Sequence, residues 1–214
     1  MKKITSLLCL PFLIFSFFCN ELKASDFCGI DCCPCEESTF DVSLRVAAFV
    51  PFDKKVKKIY EKAWGDYQIE LNKTFYENWG AWINGQCTIS RGRSYGYVKA
   101  STRMRLIPLS FGVKYNYEIA PCTNLYAGVG AVYSWLYIRD CYEYVHEHTK
   151  KGAWGGLFKL GLQYNCTNCI SVEIFTDYLV QRFKFPSSQS SPYVERNDVK
   201  MDALIAGVGL GWRF

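Results

Sequence analysis

From Phe40 to Val50 the chain alternates. Phe40, Val42, Leu44, Val46, Ala48 and Val50 fall on one side, and Asp41, Ser43 and Arg45 begin the other, which is the two-residue period of a strand with one apolar face. The same period predicts further strands over about 67–75, 79–91, 103–117, 125–139, 153–164, 170–183 and 201–214. Each approaches or exceeds the roughly 9–11 residues that a tilted strand needs to cross a bilayer. The connections sort by length: 51–66, 92–102, 140–152 and 184–200 are long and polar, while 76–78, 118–124 and 165–169 are short. A soluble sandwich has no reason to sort its loops in this way. The expectation is an all-β fold, an eight-stranded antiparallel up-and-down transmembrane β-barrel with long outer loops and short periplasmic turns. Pro108 inside the fourth strand is unusual for a strand paired on both sides, and Gly128, Gly130, Gly207, Gly209 and Gly211 point to tight curvature or close interior packing.

The N-terminus sets the compartment. Lys2 and Lys3 precede an apolar run from Ile4 to Phe18, and Leu22-Lys23-Ala24 supplies a small residue before a polar stretch, the layout of a cleaved secretory signal. Lipidation at Cys19 is the alternative, but Phe17 and Phe18 stand where such a signal needs small residues. The expected organisation is a signal peptide over 1–24, a Cys-rich periplasmic segment over 25–38 and the barrel over 39–214, located in a bacterial outer membrane.

Composition narrows the reading. Of 214 residues, 17% are aromatic and the mean hydropathy is −0.05, which excludes a disordered chain. With no interior apolar run long enough to cross as a helix, a helical membrane protein is excluded as well. A net charge of +5 is too small to suggest a nucleic-acid partner. The aromatics instead gather at strand ends, as Tyr115, Tyr117, Trp135, Tyr137, Trp154, Tyr164, Trp212 and Phe214, where amphipathic rings bridge lipid and water.

Phe214, Trp212, Leu210, Val208, Ala206 and Leu204 share one face of the last strand. That strand resembles the terminal recognition strand of bacterial outer-membrane barrels, with Gly209, Trp212 and Phe214 at the matching glycine and terminal aromatic positions. Together with Leu106-Ile107-Pro108-Leu109 and Tyr126-Ala127-Gly128-Val129-Gly130, it makes the chain similar to the small OmpA-, OmpX- and OmpW-type barrels, as a cysteine-rich variant. The resemblance implies outer-membrane lipid, lipopolysaccharide and the barrel-assembly machinery as partners.

Strand phase assigns the lumen. Low in the barrel it places Asp41, Ser43, Arg45, Tyr126, Ser171 and Glu173, joined by Lys114, Lys159, Gln163 and Arg213. Arg45, Lys114, Lys159, Glu173 and Arg213 would form a polar plug, because eight strands leave room for little more than side chains. Higher up, Phe49, Met104, Leu106, Val132, Leu136, Leu157, Leu179, Ala203 and Ile205 point inward, interrupted by Gln68, Gln86 and Thr88. Two readings stay open. Phe49, Met104, Leu106, Leu136, Leu157, Leu179 and Ile205 could line a site for a small hydrophobic molecule or lipid chain, as in OmpW-type barrels, with Pro108 as a lateral exit; or they pack into a solid interior.

In the first long loop, Val56, Ile59, Tyr60, Ala63 and Trp64 repeat at helical spacing among Lys54, Lys55, Lys57, Lys58 and Lys62, between an Asp53 cap and a Gly65 stop. A basic helix lying at an interface near lipopolysaccharide phosphates, with Arg103 and Arg105 at the rim, and a loop capping the barrel mouth with Trp64 are both compatible with that pattern. Removing Cys9 and Cys19 with the signal leaves nine of 11 cysteines, and Cys28, Cys32, Cys33, Cys35, Cys122, Cys166 and Cys169 fall on the periplasmic side as disulfide candidates. Their number is odd, so links to other envelope proteins stand beside intramolecular staples. Adjacent Cys32 and Cys33 fit metal-ligand spacing badly, and no metal or cofactor is expected. His146 and His148, the only histidines, sit in the third long loop with no orienting partner in the pattern. The chain therefore reads as a non-enzymatic envelope barrel contributing structure and surface contact, with passage of small hydrophobic molecules as one alternative and a lipid A-modifying enzyme as another.

Overall fold

Alternating residues become a closed wall. The structure, a computed structural model, describes residues 40–60, 62–76, 78–93, 101–141, 146–166, 169–184 and 198–213. The expected signal segment, the Cys-rich segment and Phe214 lie outside the described residues. Strands β1 (Phe40–Pro51), β2 (Trp64–Tyr76), β3 (Trp79–Arg93), β4 (Ser101–Ala120), β5 (Thr123–Cys141), β6 (His146–Asn165) and β7 (Ile170–Lys184) each pair antiparallel with the next. After β8 (Asp198–Lys200), strand β9 (Ala203–Arg213) pairs with both β7 and β1 and closes the ring. β8 and β9 are two pieces of one wall strand, since both oppose β7 in a single unshifted register from Lys184↔Asp198 to Ile170↔Trp212. At the break, Met201 N–H donates to the Gln181 carbonyl at 2.8 Å and the Asp202 carboxylate accepts the Gln181 N–H at 3.1 Å. The wall is an eight-stranded antiparallel barrel. Among the described residues, no helix is long and apolar enough to cross a membrane.

The loops are shorter than the sequence pattern suggests. Residues 146–152, expected in the third long loop with His146 and His148, belong to β6 and pair with β5 from Cys141↔His146 to Trp135↔Gly152. Backbone pairing is indifferent to side-chain polarity, so a ribbon beyond the apolar belt carries no alternation to read. Trp64 pairs with Phe49 and stacks on its ring, centroids 5.0 Å apart, which starts β2 inside the expected first loop. The helix there, α1 (Lys54–Ile59), has six residues and stops well before Gly65. The 118–124 connection contracts to Pro121 and Cys122; the proline precedes a residue at φ 67°, the sequence of a type II turn.

Phase is as the alternation predicts. Leu44, Val46, Phe111, Val113, Val129, Phe158, Leu160, Leu162, Val208 and Leu210 are exposed on the outside. Aromatic pairs mark both ends of this belt: Trp79 meets Tyr115 edge-on at 5.2 Å toward the short turns, and Tyr133 meets Trp135 at 4.9 Å and Trp154 at 5.1 Å toward the loops. Inside, Trp82 is buried against Gly112 and Gly130, where a Cβ would collide with the ring and with neighbouring backbone. Those two glycines let the wall close around an indole.

Candidate functional site

The lower lumen is an ion cluster. Arg45, wholly buried, donates Nε to Glu173 at 2.5 Å and Nη2 to the same carboxylate at 2.8 Å, while its other edge bonds Glu70 through Nη1 and, at 2.9 Å, Nη2. Lys159 donates to Glu70 as well, and Lys114 Nζ lies 3.9 Å from it. Tyr126 hydroxyl donates to Glu173 at 2.9 Å, and Asp177 sits 3.8 Å from Lys159. Three cations meet three carboxylates with every member buried, and each has an opposite charge within 4.0 Å to offset part of its desolvation. Phe175 and Trp82 cover it, with Arg45 Cζ 4.8 Å and Lys159 Nζ 4.2 Å from their ring centres. Gly209 makes room: a Cβ there would meet Glu173 and Arg45.

Arg45, Lys114, Lys159 and Glu173 thus come together, whereas Arg213 stands apart. It is half-buried toward the turn end, 4.0 Å from Asp41 and 2.5 Å from the Asn165 side-chain oxygen. Sequence reasoning missed Glu70, which bonds Arg45 and Lys159 and lies near Lys114, and also Asp177. Both follow the phase of residues already placed inside, Gln68 and Glu173, so alternation held the signal. A second polar group lies along β2 and β3, where the buried Asp66 carboxylate accepts Gln68 at 2.7 Å, Gln86 at 2.8 Å and Thr88 at 2.5 Å. The sequence pattern leaves Asp66 in the first loop, and the pairing puts it in β2.

Opposite that group the lumen is apolar and full. Phe49, Met104, Leu106, Leu136, Leu157, Leu179 and Ile205 form one cluster with Val132, Ala203 and Phe183, and each of the ten is 0–2% exposed. A water-sized void along them would leave surface uncovered. Val56 from α1 and Trp64 belong to the same cluster, with Tyr60 packed edge-on to Trp64 at 6.0 Å. The apolar side of α1 therefore caps the mouth.

The wall has one gap among the described pairings of β3 with β4. These strands pair continuously except between Gly85↔Leu109 and Thr88↔Leu106, where Gln86 and Cys87 face Pro108 and Ile107 without ladder contacts. Proline has no N–H to give, and the register is the same on both sides, so the ladder is interrupted without slipping. Outside the gap lies a groove of about 620 Å³ lined by Leu44, Tyr67, Ile69, Ile107, Leu109 and Trp135. Its inner side is closed by buried Gln68 and Gln86, tied to Asp66.

Of the remaining candidates, Trp212 faces outward on β9. Cys122 is in the Pro121-Cys122 turn and Cys166 and Cys169 flank β6 and β7 at the same end, the latter two exposed. Cys28, Cys32, Cys33 and Cys35 lie outside the described residues, as do the side chains of His146 and His148.

No protein-family model and no curated protein matches the sequence. Solved structures do match in fold. The outer membrane protein OprG from Pseudomonas aeruginosa superposes with a TM-score of 0.59 at 13% identity, covering 83% of this chain and 96% of that one. The fold is that of the small eight-stranded outer-membrane barrels. A major outer membrane protein from Thermus thermophilus matches at TM-score 0.52 and 13% identity over 82% and 99% of the two chains. The attachment invasion locus protein Ail of Yersinia pestis matches at 0.51 and 14% over 82% and 97%. At identities this low, what this barrel shares with them is the fold.

Proposed function

We propose that the chain is a non-enzymatic integral barrel of a bacterial outer membrane, exported by residues 1–24, that contributes envelope structure and surface contact through its loop end. The observation that carries this reading is the pairing of an exposed apolar belt outside with a filled, charge-balanced lumen inside. A closed ladder satisfies backbone groups in hydrocarbon, and a belt of this kind exposed to water would be an aggregation liability. The near-complete burial of the upper-lumen side chains supports a solid interior over passage of hydrophobic molecules through it. No arrangement of described side chains supports the lipid A-modifying alternative. Links to other envelope proteins enter through the cysteines, because nine in the exported chain cannot all pair with one another.

The test is a denaturing gel of detergent-extracted protein. Unboiled samples are expected to run at a different mobility from boiled ones, and a reductant-free lane to show a ladder that collapses on reduction. Full solubility without detergent and no mobility shift would overturn the barrel-in-membrane reading; monomer in both lanes would overturn the cross-linking.

A further inference from the structure

Toward the loops, the outer face of β3–β6 turns cationic. Arg91, Arg103 and Arg139 occupy paired positions on three adjacent strands, and one outward step closer to the apolar belt Arg105 and Lys150 flank Tyr137. All five are exposed, and among the described residues none of the five enters an ion pair. Strands lie ~4.8 Å apart and successive outward residues about 7 Å apart, so the five charges share a patch on the order of 15 Å across. The other outward side chains described in these two rows are Ile89 and Tyr137, and no carboxylate among them offsets the patch. Like charges this close favour a multivalent anion, and arginine forks suit phosphate oxygens.

The groove beneath it supplies a second observation. Ile107 and Trp135, which line the groove, are the next outward residues below Arg105 and Tyr137. Its floor at Gly85 is open, since a Cβ there meets nothing within 4 Å. A volume of about 620 Å³ falls in the range of small-molecule sites, roughly 300–1,000 Å³. Cations above and an apolar slot directly below match a molecule with a charged head and a hydrocarbon tail.

We propose that the basic rim and the Pro108 groove are one binding site for a phosphorylated membrane lipid of the lipopolysaccharide class. Phosphate sits on Arg91, Arg103, Arg105, Arg139 and Lys150, and an acyl chain lies in the groove. The site rests on the barrel reading above, because it presents both parts to the membrane's edge. It also gives the wall gap a use that needs no route into the closed lumen.

Native mass spectrometry of the full chain in detergent, with lipid A, phosphatidylcholine or inorganic phosphate added, reads the site directly, and the unboiled gel shift of each sample reports the barrel separately. Wild type is expected to retain lipid A and not phosphatidylcholine. Arg103→Glu/Arg105→Glu/Arg139→Glu should weaken lipid A binding at least tenfold with the gel shift intact, and the milder Arg103→Gln/Arg105→Gln pair should weaken it less. Gly85→Phe, which fills the groove, should also weaken lipid A binding. Equal retention of both lipids, or unchanged binding by the charge variants, overturns the proposal. Competition by inorganic phosphate at the same concentration as lipid A, or indifference to Gly85→Phe, overturns the groove's part in it. Loss of the gel shift in wild type overturns the barrel reading instead, and the site with it.

Discussion

Glu70 shows what one side chain does in a narrow lumen. It bonds Arg45 and Lys159 and stands near Lys114, so removing its charge leaves three buried cations to two carboxylates. Breaking a buried pair from one side costs about 3–5 kcal/mol, because the partner's desolvation is no longer offset. Glu70→Gln is therefore expected to lower the urea unfolding midpoint in lipid vesicles by an amount equivalent to that range. Asp41→Asn provides the contrast, since the Asp41–Arg213 pair is 4.0 Å apart and 17% exposed at each partner, and its loss should cost about 0–1 kcal/mol. Equal effects from the two substitutions would show that Glu70 is no hub.

At the level of strands, the gap opposite Pro108 makes a separate prediction. Gln86 and Cys87 have no ladder partner on β4 while both stay paired with β2, whereas their neighbours Gly85 and Thr88 are paired on both sides. Successive strand amides point to opposite neighbours, so one of these two is directed at the interrupted ladder. That amide should exchange faster than those of the flanking ladder, and Pro108→Val, by restoring the N–H that ties a β3 carbonyl to β4 and so closing the gap, should slow it. Indistinguishable rates would mean the interruption is not a feature of the protein. Sequence alone located Pro108 and its strand, since a period of two needs only side-chain identity. It also brought Arg45, Lys114, Lys159 and Glu173 to one depth. What it did not contain was the reach of β6 back to His146, where only backbone pairing extends the strand, or the partnership of Glu70 with Arg45. Ion pairs across a barrel depend on register summed over several strands, and no local pattern records that sum. Trp82 was hidden for a similar reason, because the space it fills is left by Gly112 and Gly130 on other strands.

The whole molecule carries two seals in series. The lower one is the ion cluster around Arg45, in which three buried cations meet three buried carboxylates. Above it, ten apolar side chains from Phe49 to Ile205, capped by Val56 and Trp64, fill most of the lumen, and the polar group beside them, Asp66 with Gln68, Gln86 and Thr88, is already bonded within itself. Moving a bare charge into such surroundings costs many kcal/mol, so the upper seal alone is expected to stop conduction. Opening the lower cluster by Glu70→Ala/Lys159→Ala should therefore leave the barrel silent in planar bilayers. Conductance is expected only when Leu106 and Leu136, inward neighbours on β4 and β5, are also cut back to glycine. Stepwise currents from wild type, or from the lower-cluster variant by itself, would place the barrier elsewhere and reopen passage through the lumen as a function.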